Sequence, residues 1–113
     1  MKTTTVQLVR GDVFTLIVRL NIADFDWAGI VVRSRLRTQD ERLVWDFLAE
    51  GGISTEVDAD GRLVIVLSAP GADTRRWPPG RLLGDVEIEN ATLGFGPYTP
   101  ASYRVNLAKD MTR

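Results

Sequence analysis

The chain has no cysteine and no histidine among its 113 residues. Without cysteine there is no disulfide, no thiol nucleophile, no iron–sulfur site and no cysteine-ligated zinc. Without histidine, the commonest general base near neutral pH and the commonest metal ligand are both missing. The Ser-His-Asp and Cys-His arrangements of nucleophilic catalysis are therefore excluded. An excess of one charge is lacking too: 14 Lys+Arg stand against 15 Asp+Glu, a formal net charge of −1. That balance argues against nucleic-acid binding driven by overall charge. Long apolar runs are absent. The densest, Val13 to Leu20, is broken by Thr15 and Arg19 and falls far short of the roughly 20 residues that span a bilayer. The polar start, Met1-Lys2-Thr3-Thr4-Thr5, lacks the apolar stretch of a signal peptide. Glycine-rich phosphate loops are missing as well. The expectation is a chain made in the cytoplasm, not an enzyme, with no cofactor, no metal, no nucleic acid and no membrane partner.

What is present is period two, the signature of half-buried strands. Phe14, Leu16, Val18 and Leu20 alternate with Thr15, Ile17 and Arg19. Ile30, Val32, Ser34 and Leu36 alternate with Val31, Arg33, Arg35 and Arg37. Leu43, Trp45 and Phe47 share a face, as do Leu82, Gly84, Val86 and Ile88, and later Tyr103, Val105 and Leu107. Leu63 to Leu67 is apolar on both faces and reads as a fully buried strand. Turn residues separate the runs. Arg10-Gly11-Asp12 follows a first strand over about Thr4 to Val9. Asp58-Ala59-Asp60-Gly61 marks a hairpin, since Gly supplies positive φ and Asp tolerates it. Gly94-Phe95-Gly96-Pro97 lies in a connection running from Asn90 to Pro100. One segment breaks the alternation: a helical turn is predicted over about Ala72 to Arg76, stopped by Pro78, with Trp77 folded back over the core. These features predict one all-β domain over 1–113, an antiparallel sandwich of seven or eight strands, with loose ends possible at 1–3 and 109–113.

Several residue groups invite functional readings. Arg10-Gly11-Asp12 matches a cell-adhesion tripeptide, but a tight turn needs the same residues. Asp24 and Asp26, with Asp58 and Asp60, could form an oxygen-only cation site, yet turn-capping explains them more simply. Asp85, Glu87 and Glu89 line one strand face, where a glycosidase-type pair would have to be found. Arg33, Arg35 and Arg37 form a stripe, with Arg19 a further candidate member. The stripe is a docking face for an acidic partner or a glycan, or it is a solvated face paired with the acidic strand. Phe14, Trp45, Phe47 and Tyr103 belong to the core. Phe25 and Trp27 fall in a loop among aspartates, and Phe95 and Tyr98 in a Gly/Pro loop. Such aromatics plug sandwich ends or anchor interfaces. The candidate partner contacts are thus Phe25, Trp27, Phe95, Tyr98, Arg33, Arg35 and Arg37. A carbohydrate-binding module that stacks sugars on Trp27 or Tyr98 is the alternative reading.

The order of four segments carries a resemblance. These are Arg10-Gly11-Asp12-Val13-Phe14-Thr15-Leu16, then Asp26-Trp27-Ala28-Gly29 before the arginine strand Val31 to Arg37. Asp60-Gly61-Arg62-Leu63-Val64-Ile65-Val66-Leu67 follows, and last Trp77-Pro78-Pro79-Gly80 leading into Leu83-Gly84-Asp85-Val86-Glu87-Ile88. In this order the chain resembles small phage and prophage virion proteins with an immunoglobulin-like β-sandwich, over about Val6 to Arg113. Trp77 stands where a smaller aliphatic is usual, and the Asn90–Pro100 connection is longer than the usual turn. The resemblance implies an Ig-like fold and a structural role in a tail, baseplate, fibre attachment or head decoration. It implies other virion proteins as partners, in symmetric multiple copies, and the virion as location.

Overall fold

The computed structural model describes residues 2–22 and 25–109. Among these residues, eight strands and one helical turn follow in chain order. They are β1 (Lys2–Val9), β2 (Phe14–Leu20), β3 (Val31–Thr38), β4 (Leu43–Asp46), β5 (Ile53–Val57), β6 (Leu63–Ala69), α1 (Gly71–Thr74), β7 (Gly80–Asn90) and β8 (Phe95–Ala108). No helix among them is long and apolar enough to cross a membrane.

The strands form two layers. One sheet has the order β1-β8-β7-β3-β4 and the other β2-β6-β5. Burial follows the alternation: Val32, Ser34 and Leu36 of β3 face inward, as do Leu82, Val86 and Ile88 of β7 and Tyr103, Val105 and Leu107 of β8. The second sheet answers with Phe14, Leu16 and Leu20 of β2 and Leu63, Ile65 and Leu67 of β6. Phe14 lies at the centre, with ring centroids 5.5 Å from Phe47, 5.9 Å from Trp77 and 6.3 Å from Tyr103. Trp77 is buried, as its predicted place over the core requires. Strands β2, β5 and β6 in one layer, with β1, β3, β4, β7 and β8 in the other, make the immunoglobulin arrangement. The chain builds it without the inter-sheet disulfide and with Val32, Ser34 and Leu36, not Trp, as the inward residues of β3.

Three expectations need correction. The sandwich is not wholly antiparallel, because β1 runs parallel to β8 from Lys2↔Ala101 to Val9↔Ala108. The turn Arg10–Val13 carries the chain across to the other sheet. Second, the long connection Asn90–Pro100 is mostly strand. β7 reaches Asn90 and β8 starts at Phe95, with register shifts absorbing the Gly and Pro residues. Phe95 and Tyr98 are therefore strand residues. Third, Arg19 lies on β2 and does not extend the arginine stripe of β3. Of the ends, Lys2 and Thr3 belong to β1, while residues 1 and 110–113 lie outside the described residues.

The helical turn is tied to the β1–β2 turn by one buried side chain. The Thr74 hydroxyl donates to the Asp12 carbonyl at 2.7 Å and accepts from the Gly11 amide at 3.1 Å. The Arg10 guanidinium donates to the Arg75 carbonyl at 3.0 and 2.7 Å. Gly71 meets this turn so closely that a Cβ there would lie 2.2 Å from the Gly11 carbonyl oxygen. Arg10-Gly11-Asp12 is thus a packed structural turn.

Candidate interaction site

The connection between β2 and β3 and the turn between β7 and β8 meet at one end of the sandwich. Asp26 shapes the first, its Oδ1 accepting the Ala28 amide at 2.9 Å. The Ile30 amide then donates to the Trp27 carbonyl at 3.2 Å. Asn90, buried at the end of β7, joins the two pieces. Its side-chain amide donates to the Ala28 carbonyl at 2.9 Å, and its Oδ1 accepts the Leu93 amide at 3.3 Å. A buried amide that satisfies backbone groups on two segments fixes their relative position.

That fixing brings the four predicted aromatics into one cluster. Phe25 lies 4.6 Å from Trp27 and 4.8 Å from Phe95, and Phe95 lies 6.1 Å from Tyr98. Exposure grows outward along the chain of rings. Trp27 is 8% exposed and Tyr98 49%, with Phe25 and Phe95 half-buried between them. The Trp27 indole N–H donates to the Gly61 carbonyl at 2.9 Å. Trp27 therefore works as a floor, and a sugar-stacking platform would be left with Tyr98 alone.

Beside this cluster runs a groove of about 600 Å³ between residues 25–30 and β5, with Gly61 and Leu63 in its lining. Its β5 wall carries Thr55, Glu56 and Val57.

The arginine stripe lies on the outer face of the larger sheet, away from the aromatics. Register places Arg33 opposite Glu87 and Arg35 opposite Asp85. Arg33 bridges two carboxylates, Glu87 at 2.9 Å and Glu89 at 2.5 Å. Its pKa is raised by these bonds, the one to Glu89 first. Arg35 turns from Asp85 to Asp46 on β4, at 3.2 Å. Arg37 makes no ion pair among the described residues; its guanidinium reaches the Glu41 carbonyl at 3.4 Å. The Asp85 carboxyl is pushed up by burial and by Glu87, against the pull of Arg37 and Arg35. Glu87 and Glu89 are both held by Arg33, so this part of the strand face is an ion-pair ladder.

The aspartate hairpin is also consumed locally. Asp58 accepts the Asp60 and Arg62 amides at 2.9 and 3.0 Å and the Arg62 guanidinium at 2.9 Å. Its carboxyl is held below the ordinary range, by the Arg62 amide above all, against the effect of burial. Asp60 also meets Arg62, at 3.3 Å. Among the described residues no group of carboxylates is placed to hold a metal ion; Asp24, proposed beside Asp26, lies outside them. Asn90 is the site residue that sequence reading missed. Its only signal was an Asn at a strand end before a Gly-containing turn.

No family model matches the chain, and no curated protein matches it. Among solved structures, the second Ig domain of the mouse polymeric immunoglobulin receptor is similar, at 14% identity and a TM-score of 0.43. It covers 99% of this chain and 100% of that chain. The Ig1 domain of mouse SynCAM 2 is 12% identical with a TM-score of 0.35, over 96% of this chain and 94% of that one.

Proposed function

We propose that the chain is a non-enzymatic structural protein that acts through protein–protein contacts, as a component of a phage virion. The contact role rests on one observation: Phe25, Trp27, Phe95 and Tyr98, from two separate segments, converge into one cluster that runs from core to surface. Rigid aromatics anchored at one end and exposed at the other are the residues that dominate interface energies. The virion assignment rests on the ordered resemblance of the four sequence segments; the fold by itself hosts many functions. Partners are then other virion proteins, met in multiple copies.

Particle composition tests this reading. Phage particles purified from the bacterium that carries the gene should contain the chain at a fixed ratio to the major structural proteins. Tyr98→Asp, at a half-exposed ring, should leave the fold intact and reduce incorporation. Particles that form normally without the chain would overturn the virion assignment.

A further inference from the structure

We propose that β5 accepts an extended segment of a partner protein as an added strand, and that this segment alternates apolar with basic residues. The proposal rests on the reading of the chain as an interaction protein and names the surface and the chemistry of its partner.

Among the described residues β5 pairs only with β6, in an unbroken antiparallel register from Ile53↔Leu67 to Val57↔Leu63. Its other edge carries main-chain groups with no ladder partner among the described residues. Proteins guard such edges with Lys, Pro or bulges. β4 is four residues long with a register shift beside it, and β2 carries Arg19. β5, Ile-Ser-Thr-Glu-Val, has no Lys, Arg, Pro or register shift, and its one charge is the acidic Glu56. It also borders the 600 Å³ groove. Trp27, whose N–H is spent on Gly61, gives that groove an apolar floor with Leu63 and Ile30. Val57 stands at its wall 54% exposed, an apolar side chain still to be covered.

Register dictates the partner's pattern. Thr55 and Val57 lie opposite Ile65 and Leu63, which face the core, so Ser54 and Glu56 face outward. An added strand continues the same pleat. Its inward side chains meet Val57 and the Trp27 floor, and its outward ones meet Glu56. Glu56 and Asp26 are exposed at this groove, and neither is in an ion pair among the described residues. Asp58 and Asp60, by contrast, are already neutralised by Arg62. Alternating apolar and Lys or Arg residues fit both requirements at once.

The test uses two blocked heptapeptides, TVKVKVT and TVEVEVT, with the whole chain. Binding is read by tryptophan fluorescence and by backbone amide NMR shifts. TVKVKVT should bind and shift the amides of Ile53–Val57, and TVEVEVT should bind about tenfold more weakly. Glu56→Lys, a change at an exposed position, should remove that preference while leaving the spectrum of the core intact. N-methylation of TVKVKVT along its ladder-forming edge should abolish binding. Equal affinity of the two peptides, shifts confined to another edge, or no binding of TVKVKVT at about 1 mM would each overturn the proposal. If particle incorporation holds while these peptides fail, the β5 site falls and the structural reading stands.

Discussion

The Tyr103 hydroxyl lies 2.7 Å from the Ser34 hydroxyl, although their strands are separated by β7. Gly84 makes this possible. It sits directly opposite Tyr103 in the ladder, and a Cβ there would fall 2.2 Å from the ring carbon Cζ. The phenol crosses β7 over the bare glycine and ends on β3 in a buried, satisfied pair. Burial pushes the Tyr103 pKa up, which the Ser34 bond only partly offsets. The hydroxyl stays protonated, and the pair stays neutral.

Removing one partner strands the other. Tyr103→Phe and Ser34→Ala should each cost about 1–3 kcal/mol, the penalty of a buried unsatisfied hydroxyl. The double variant should cost less than the two single losses added together. Gly84→Ala should displace the ring and exceed either single loss. Urea unfolding of the four variants checks this. An additive double variant would show that the two hydroxyls do not act as a pair.

The strands themselves were legible because period two is written in side chains that face one dominant core. Phe14 to Leu20, Val31 to Arg37 and Leu63 to Leu67 needed no further information. The Asp58–Gly61 hairpin was legible because its turn chemistry is local, as its bonds to Arg62 confirm. Other features were decided by partners that local pattern does not name. Thr4 to Val9 alternates equally well beside β2 or β8, so its parallel pairing was not visible. Gly96 and Pro97 read as loop residues, yet register shifts let β8 run through them. Pairing of the arginine stripe with the acidic strand was one of two readings of the sequence, and the Arg33–Glu87 pair is an instance of it. Asp46 meets Arg35 because the β3–β4 register sets them opposite each other, while Asp46 Oδ1 also accepts the Leu48 and Ala49 amides at 3.1 Å each. The convergence of Phe25 and Trp27 with Phe95 and Tyr98 waited on Asn90, whose role is set by distant backbone groups.

Thr74 offers a second stability test. Its hydroxyl serves an amide and a carbonyl of the Gly11–Asp12 turn, and its side chain is fully buried. Thr74→Val keeps the shape and removes both bonds, so a loss of about 1–3 kcal/mol is expected. Thr74→Ser keeps the hydroxyl and should lose less. Thermal unfolding should rank the variants in that order. Equal midpoints for Thr74→Val and the unmodified chain would show that solvent replaces both bonds.

Two aspartates should pull the pH dependence of stability in opposite directions. Asp85 has a raised carboxyl pKa in the folded state, by burial first and Glu87 second. Its folded form binds the proton more tightly, so stability falls as pH rises from the ordinary carboxylate range through the raised value. Asp85→Asn should therefore gain stability relative to the unmodified chain at neutral pH, and the gain should vanish in acid. Asp46 is the reverse. Burial pushes its carboxyl up, but the Ala49 amide, Arg35 and the Leu48 amide hold it below the ordinary range. Its contribution is complete above that range and lost as pH falls through the lowered value. Asp46→Asn should cost most at neutral pH and least in acid. Denaturant midpoints at several pH values separate the two, and slopes of the same sign would contradict the assignment.

The Arg33 ladder should respond to charge more than to packing. Its guanidinium holds Glu87 and Glu89, each of the three side chains being about a third exposed at 32%, 37% and 27%. Water and salt screen ion pairs at that exposure, so Arg33→Met should lose less stability than Thr74→Val. Arg33→Glu should lose more, because it sets three carboxylates side by side on one sheet face. Reversal of Glu87 as well, in Arg33→Glu with Glu87→Arg, should recover part of that loss by restoring an opposed pair. Added salt should shrink the Arg33→Glu deficit and leave Thr74→Val unmoved. An Arg33→Glu deficit indifferent to salt would mean that its aliphatic stem, packed along the sheet, and not its charge holds this face together.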